Sequence, residues 1–360
     1  MVESLTEKDR RSLWGMAGTI VLLHLVGFGV LFGLVEPRAL RLGGEHPVFT
    51  AGVGVLAYTF GLRHAFDADH IAAVDNATRK LLHDALATGE DRKPLSVGFW
   101  FSLGHSTVVF ALAFLLAAGV KALAGPVQHQ GSTLHSVTGV VGASVSGVFL
   151  WILGILNLVV LVGVIGMFRD MRRGRYDEQA LEARLDRRGL LNRILGGLTR
   201  SVRRPWHIYP IGALFGLGFD TATEVGLLVL AGGAAAFSLP ATSILVLPIL
   251  FAAGMCLMDT IDGVFMNAAY GWAFARPVRK VFYNITITAI SVAVSLIIGT
   301  IELVGVLAEQ ADITTGPVAA VAGIPLDYAG YGMVALFVVA WLVAMAVWHF
   351  GRVEQRWPTR

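Results

Sequence analysis

The chain has 360 residues, 55% of them hydrophobic and 15% charged, with a mean hydropathy of +0.68. A soluble domain carries roughly 25% charged residues, so this composition excludes a water-soluble fold and indicates a polytopic membrane protein. The net charge of +3 is not a nucleic-acid footprint, because Lys and Arg sit in short segments between apolar runs, and the single Cys256 excludes a disulfide framework and cysteine-based zinc or iron–sulfur sites.

Eight apolar runs follow one another: Trp14–Val35, Phe49–Val74, Leu95–Ala118, Val137–Phe168, His207–Gly232, Leu239–Asn267, Val281–Val306 and Asp327–Phe350. The first is too long for a signal-peptide core and has no small-residue cleavage site after it, so it is expected to remain as a helix. Positive charge then alternates between the segments that separate the runs. Lys8, Arg10 and Arg11, the 2–3 loop (Arg79, Lys80, Arg92, Lys93), the eleven arginines from Arg169 to Arg204, the 6–7 loop (Arg276, Arg279, Lys280) and the C-terminal Arg352, Arg356 and Arg360 fall on one side. That side holds 24 of the 28 basic residues, and the other holds only Arg38, Arg41 and Lys121. The positive-inside rule then predicts an all-α protein with eight transmembrane helices in the inner membrane and both termini in the cytoplasm.

Three parts are expected: an N-terminal membrane half at 1–168, an Arg-rich cytoplasmic loop at 169–205 and a C-terminal membrane half at 206–360. Within the loop, Tyr176–Arg188 mixes acids and bases in a helix-forming stretch, which reads either as an amphipathic helix at the membrane surface or as a solvated linker. Phe60-Gly61-Leu62 ahead of Phe66-Asp67-Ala68 resembles Phe215-Gly216-Leu217 ahead of Phe219-Asp220-Thr221. The first lies on a helix running inward and the second on one running outward. Helices 2–4 and 5–7 are therefore suggested to form an inverted repeat with a site at its interface.

The chemistry concentrates in the second run, where Arg63, His64, Asp67, Asp69 and His70 interrupt an apolar stretch. Ionisable groups at membrane depth cost roughly 2.5–3.5 kcal/mol each on insertion scales, so they usually face a bundle interior and serve an ion or substrate path. In a continuous helix, at about 100° per residue, His64, Asp67 and His70 fall within an arc of about 120°, with Asp69 nearly opposite. Two imidazoles and a carboxylate on one face suit a borderline divalent ion such as nickel, cobalt or zinc, and a polar network holding helices together is the plainer alternative.

His105 lies within the third run. In the fifth, Asp220 and Glu224 are four residues apart after Gly212, Gly216 and Gly218, which mark a place where that helix can break. In the sixth, Met255, Asp259, Asp262 and Met266 form one stripe; methionines at that spacing are usually packing, whereas aspartates have no packing use. Asn157, Thr288, Ser291, Ser295 and Asn284 read as interhelical hydrogen-bonding groups, and the isolated His24 as packing. Asp67, Asp69, Asp220, Glu224, Asp259 and Asp262 thus face Arg63 as the single fixed positive charge near membrane depth, which points to a cation path. Imidazole favours Zn²⁺, Ni²⁺, Co²⁺ or Fe²⁺ over Ca²⁺ or Mg²⁺. No Walker A motif occurs, so transport would run as a secondary process without an ATPase subunit.

Arg63-His64-Ala65-Phe66-Asp67-Ala68-Asp69-His70-Ile71, continuing through Asp75-Asn76 and Thr78-Arg79-Lys80, resembles the His-x4-Asp-His signature of the nickel/cobalt transporter family. Three further segments are similar to that family's motifs: Leu103-Gly104-His105-Ser106-Thr107-Val108-Val109, Leu217-Gly218-Phe219-Asp220-Thr221-Ala222-Thr223-Glu224, and Gly254-Met255 through Asp259-Thr260-Ile261-Asp262-Gly263. The resemblance implies an eight-helix permease that takes up Ni²⁺ or Co²⁺ as substrate, with no cofactor, and it brings His105 into the metal path. The expected metal residues are then His64, Asp67, Asp69, His70, His105, Asp220, Glu224, Asp259 and Asp262.

Two rival readings are an exporter of the same metals and an intramembrane metalloenzyme that activates water. Related efflux proteins carry a His-rich cytoplasmic loop, and the 4–5 loop here has no histidine before His207, which favours uptake. Di-iron oxidases need more clustered histidines than the three in these motifs, and no nucleophile motif is present, which argues against an enzyme.

Overall fold

The computed structural model describes residues 5–38, 51–89, 93–118, 133–172, 202–217, 227, 239–274, 277–326 and 328–351, and every regular element among them is helical. Helix α1 (Glu7–Val30) starts at a capping box: the Thr6 hydroxyl accepts the Asp9 N–H at 3.2 Å and the Asp9 carboxylate accepts the Thr6 N–H at 3.1 Å. It continues through a π turn (Leu31–Val35) and a 3₁₀ turn (Glu36–Arg38). Then come α2 (Ala51–His64), α3 (Ala68–Thr88), α4 (Val97–Ala117), α5 (Thr133–Arg172), a 3₁₀ turn (Pro205–Ile208) with α6 (Tyr209–Phe215), α7 (Ala241–Phe274), α8 (Pro277–Gln310), the short α9 (Gly316–Ala322) and α10 (Ala329–Gly351).

Five helices among the described residues contain stretches long and apolar enough to cross a membrane: Glu7–Arg38, Val97–Leu115, Ala143–Gly163, Ala241–Gly271 and Thr288–Gln310. Ala329–Val343 in α10 is a shorter apolar stretch. The fifth apolar run is described only at its start, through Leu217, and at Leu227, so Asp220, Glu224 and one half of the suggested repeat lie outside the described residues. The Arg-rich loop from 173 to 201 does too.

The second run departs from the sequence expectation. Phe49–Val74 is not one continuous helix, since α2 stops at His64 and α3 restarts at Ala68. Between them the Phe66 and Asp67 N–H groups donate to the Arg63 and His64 carbonyls, both at 2.9 Å, as a tight turn. Asp67 then adopts the extended conformation of an N-cap (φ −66°, ψ 143°). Aspartate is among the preferred N-cap residues. Its side chain makes no cap bond, however, because the carboxylate is turned to His64.

Helix α7 is the hub, packed on α1, α2, α3 and α4, while α5 and α8 form a second close pair. Glycines set the closest approaches. Gly98 of α4 lies against the Asp259 carbonyl of α7, and Gly61 of α2 lies against the Phe251 carbonyl, places where any β-carbon would collide with backbone. The crossings also fix helix directions. Gly27 approaches Leu250 while Met16 clusters with Cys256, so α1 and α7 run oppositely. Gly147 meets Leu303 and Gly154 meets Leu296, so α5 and α8 do as well. Gly212 meets Phe101 and Gly216 meets His105, so α4 and α6 run the same way.

Candidate metal centre

The broken second run puts His64 at the last position of α2 and His70 in the first turn of α3, and α4 brings His105 between them. One nitrogen from each of the three rings lies within 4.8 Å of the others. The ring centroids are 4.5 Å apart for His64 and His70, 4.7 Å for His64 and His105, and 4.9 Å for His70 and His105. All three are buried, at 1%, 0% and 2% exposure. The shared helical face expected for His64, Asp67 and His70 is therefore not how they meet; the turn at Ala65–Asp67 folds the two histidines onto each other.

Two carboxylates address the far sides of these rings. Asp67 Oδ2 lies 2.7 Å from His64 Nδ1, and Asp259 Oδ2 of α7 lies 3.3 Å from His70 Nδ1. A carboxylate at Nδ1 favours the tautomer with the proton there, which leaves the Nε2 lone pair for a metal. His70 Nε2 is buried and has no hydrogen-bond partner among the described residues. His64 Nε2 and His105 Nε2 are 3.0 Å apart, so a proton or a cation must lie between two nitrogens that would otherwise oppose lone pairs. Phe101 stands edge-on to His70 at 4.8 Å and Phe251 lies 5.4 Å from His64, giving the cluster apolar walls. The arrangement is three buried imidazoles with carboxylate support between aromatic side chains, a ligand set for a borderline divalent metal.

The other expected residues are placed differently. Asp69 accepts the His70 N–H at 2.9 Å and is not part of the imidazole cluster. Asp262 is three residues past Asp259 on α7, and its Oδ2 is buried without a partner among the described residues. Met255 and Met266 sit in apolar clusters, in keeping with packing. His24 hydrogen-bonds across to the Tyr58 hydroxyl at 3.1 Å, with its other nitrogen 2.8 Å from the Ile20 carbonyl.

Sequence reasoning missed Asp75, which it left just past the end of the second span. The side chain is fully buried, accepting from Ser291 at 2.8 Å and from the Tyr270 hydroxyl. Beside it, Asn76 donates to Ser295 at 3.1 Å and accepts from Arg79 at 2.9 Å and from Asn157. The polar residues from Asp75 to Arg79, directly after Val74, were the available signal, because a span followed by an amphipathic continuation stays inside the bundle.

Apolar helices of membrane-crossing length around a buried imidazole cluster make this a multi-pass membrane protein with a candidate transition-metal site. The family model described as high-affinity nickel-transport protein (NicO) matches residues 50–347, and the chain belongs to that family of transporters. It is 57% identical over 358 residues to the nickel transporter NicT of Mycobacterium tuberculosis, covering 99% of this chain and 94% of that protein. It is 45% identical to the nickel transporter NixA of Staphylococcus aureus, covering 97% and 98% of the two chains. The cobalt transport protein NhlF of Rhodococcus rhodochrous is 39% identical, with 96% and 94% covered. No solved structure matches the chain.

Proposed function

We propose that this chain takes up Ni²⁺ and/or Co²⁺ across the cytoplasmic membrane as a secondary transporter, binding the ion through His64, His70 and His105. The observation that carries the reading is the burial of three imidazoles within ligand distance of one another, two of them backed by carboxylates. His70 Nε2 is buried with no hydrogen-bond partner among the described residues, and a divalent ion would supply one. Asp67 and Asp259 orient the rings and supply countercharge. Asp69 and Asp262 supply further acids for the ion path, a role that the sequence motifs also give to Asp220 and Glu224. Relatives named for nickel and for cobalt set the substrate class.

The proposed architecture is eight spans in two halves, 1–168 and 206–360, joined by the cytoplasmic loop 169–205, with both termini in the cytoplasm. On this reading the five long helices, the α2–α3 pair, the fifth apolar run and α10 make the eight crossings. The helix directions support that parity: α1 opposes α7, α5 opposes α8, and α4 runs with α6. The split of basic residues, 23 against three once the buried Arg79 of α3 is set aside, supports the orientation. An inverted repeat of helices 2–4 and 5–7 would place Asp220 and Glu224 opposite the helix-two motif. An inside-negative potential drives a divalent ion inward by about 4.6 kcal/mol per 100 mV, enough for accumulation without ATP.

The test is nickel and cobalt accumulation in cells lacking their own uptake system, with the wild-type chain and His70→Ala at matched membrane abundance. Uptake falls to background in the variant on this reading. Near wild-type accumulation would remove His70 from the site, and metal loss from loaded cells in place of gain would identify an exporter.

A further inference from the structure

At the end of the bundle where α1 and α4 begin and the Pro205–Ile208 turn leads into α6, a cleft of about 560 Å³ opens between the three segments. Lys8 enters it from the first turns of α1, Lys93 from the approach to α4, and Arg204 from the segment before the 3₁₀ turn. Lys8 and Arg204 are exposed. Trp100, Trp206 and Tyr209 form much of the remaining wall, with Trp206 half-exposed at 51%. Asp9 also lines the cleft, but it is buried and its carboxylate is held by the Thr6 N–H in the capping box. The balance of charge is positive, which repels a divalent cation and separates this cleft from any metal path.

We propose that the cleft binds the headgroup of an anionic phospholipid. The phosphate sits among Lys8, Lys93 and Arg204, and the glycerol and first acyl carbons lie against Trp100, Trp206 and Tyr209. All three cations belong to the charge-rich side of the chain, where the positive-inside rule puts the cytoplasmic leaflet. Basic pockets between transmembrane helices on that side suit anionic headgroups, and amphipathic aromatic rings settle at headgroup level. A free phosphate ion would use the cations and leave the aromatic wall without purpose; a lipid uses both. Because the three cations lie at or just before the starts of different helices, a bound lipid links α1, α4 and α6 at one end. The inference goes beyond the transport reading and depends on it only for the side of the membrane.

The experiment uses the purified full-length protein in zwitterionic detergent, titrated with short-chain phosphatidylglycerol, with phosphatidylcholine of equal chain length, and with inorganic phosphate, and reads the shift in thermal unfolding. Saturable stabilisation by phosphatidylglycerol alone is expected. Arg204→Gln, at an exposed side chain, should weaken the apparent affinity roughly fivefold, the factor that corresponds to the contribution of about 1 kcal/mol from one basic residue near an anionic surface. Lys8→Gln, Lys93→Gln and Arg204→Gln together should weaken it by about a hundredfold. Removing Arg352, Arg356 and Arg360 instead, an equal loss of charge, should leave it unchanged. Equal weakening by both triple variants would mean bulk attraction and overturn the site. So would inorganic phosphate as effective as the lipid, equal response to phosphatidylcholine, or an unaltered Arg204→Gln. A nickel-dependent thermal shift recorded on the same samples reports the metal centre separately, so either reading can fail while the other stands.

Discussion

Gly330, in the first turn of α10, lies directly against the main-chain carbonyl of Phe66, and the neighbouring Tyr331 ring stacks on the Phe66 ring with centroids 4.9 Å apart. The contact falls on the turn that interrupts the second run. A broken helix leaves main-chain polar groups without partners, which membrane interiors tolerate only where protein covers them. Here the last helix supplies the cover, and it can come this close only because residue 330 has no side chain. The two histidines on either side of the turn thus owe their relative placement to a helix more than 250 residues further along the chain.

Gly330→Ala should therefore disturb the centre without touching it. The added methyl meets backbone and cannot be relieved by a rotamer change, so overpacking costs about 1–3 kcal/mol. A lowered unfolding temperature in detergent together with reduced uptake per molecule is expected. Tyr331→Leu, which loses only the ring stacking, should cost about 0.5–1.5 kcal/mol by the same measurement.

His64 and His105 should behave as a unit, since their Nε2 atoms are 3.0 Å apart. Removing either leaves too few imidazoles to hold the ion, so His64→Ala and His105→Ala should each abolish nickel-dependent thermal stabilisation. The double variant should be no worse than the singles, a strongly non-additive cycle. Additive losses would show that the two rings act independently.

Asp259→Asn keeps the shape and an acceptor for His70 Nδ1 but removes the charge. Outer-sphere partners of metal-bound histidines typically matter by about 10- to 100-fold in affinity. A rise of that size in the nickel concentration for half-maximal uptake is expected, with the protein at normal abundance. Asp67→Asn should act alike through His64. If Asp259 were only a structural brace, abundance and unfolding temperature would drop while uptake per molecule held.

Tyr270→Phe tests the buried network around Asp75. It deletes one donor to a fully buried carboxylate and should destabilise the protein by about 1–3 kcal/mol. Uptake per folded molecule should stay near wild type, because Tyr270 stands outside the histidine cluster.

Reporter fusions check the orientation. Fusions at Asp177 and at the C-terminus should report cytoplasm, and one at Ala235 should report the opposite side. A cytoplasmic signal at Ala235 would overturn the eight-span arrangement.

By itself the sequence determined the class of protein and the family. Apolar runs and scattered ionisable groups report local solvation, and the bilayer imposes that cost residue by residue, so both are legible in one dimension. The four motifs likewise carried membership of the nickel-transport family. Tertiary structure decided how the histidines meet. A uniform helical period placed His64, Asp67 and His70 on one stripe, yet the chain turns at Ala65–Asp67, because Asp67 begins a new helix and Gly330 and Tyr331 cover the exposed main chain. Pairing Asp259 with His70, and Asp75 with Tyr270 and Ser291, likewise depends on α7 and α8 packing beside α3. Those contacts join residues about 190 to 220 positions apart, as the spacings 189, 195 and 216 show. Periodicity describes one helix at a time, and only the close approach of backbones at residues such as Gly98 and Gly330 fixes which faces are neighbours.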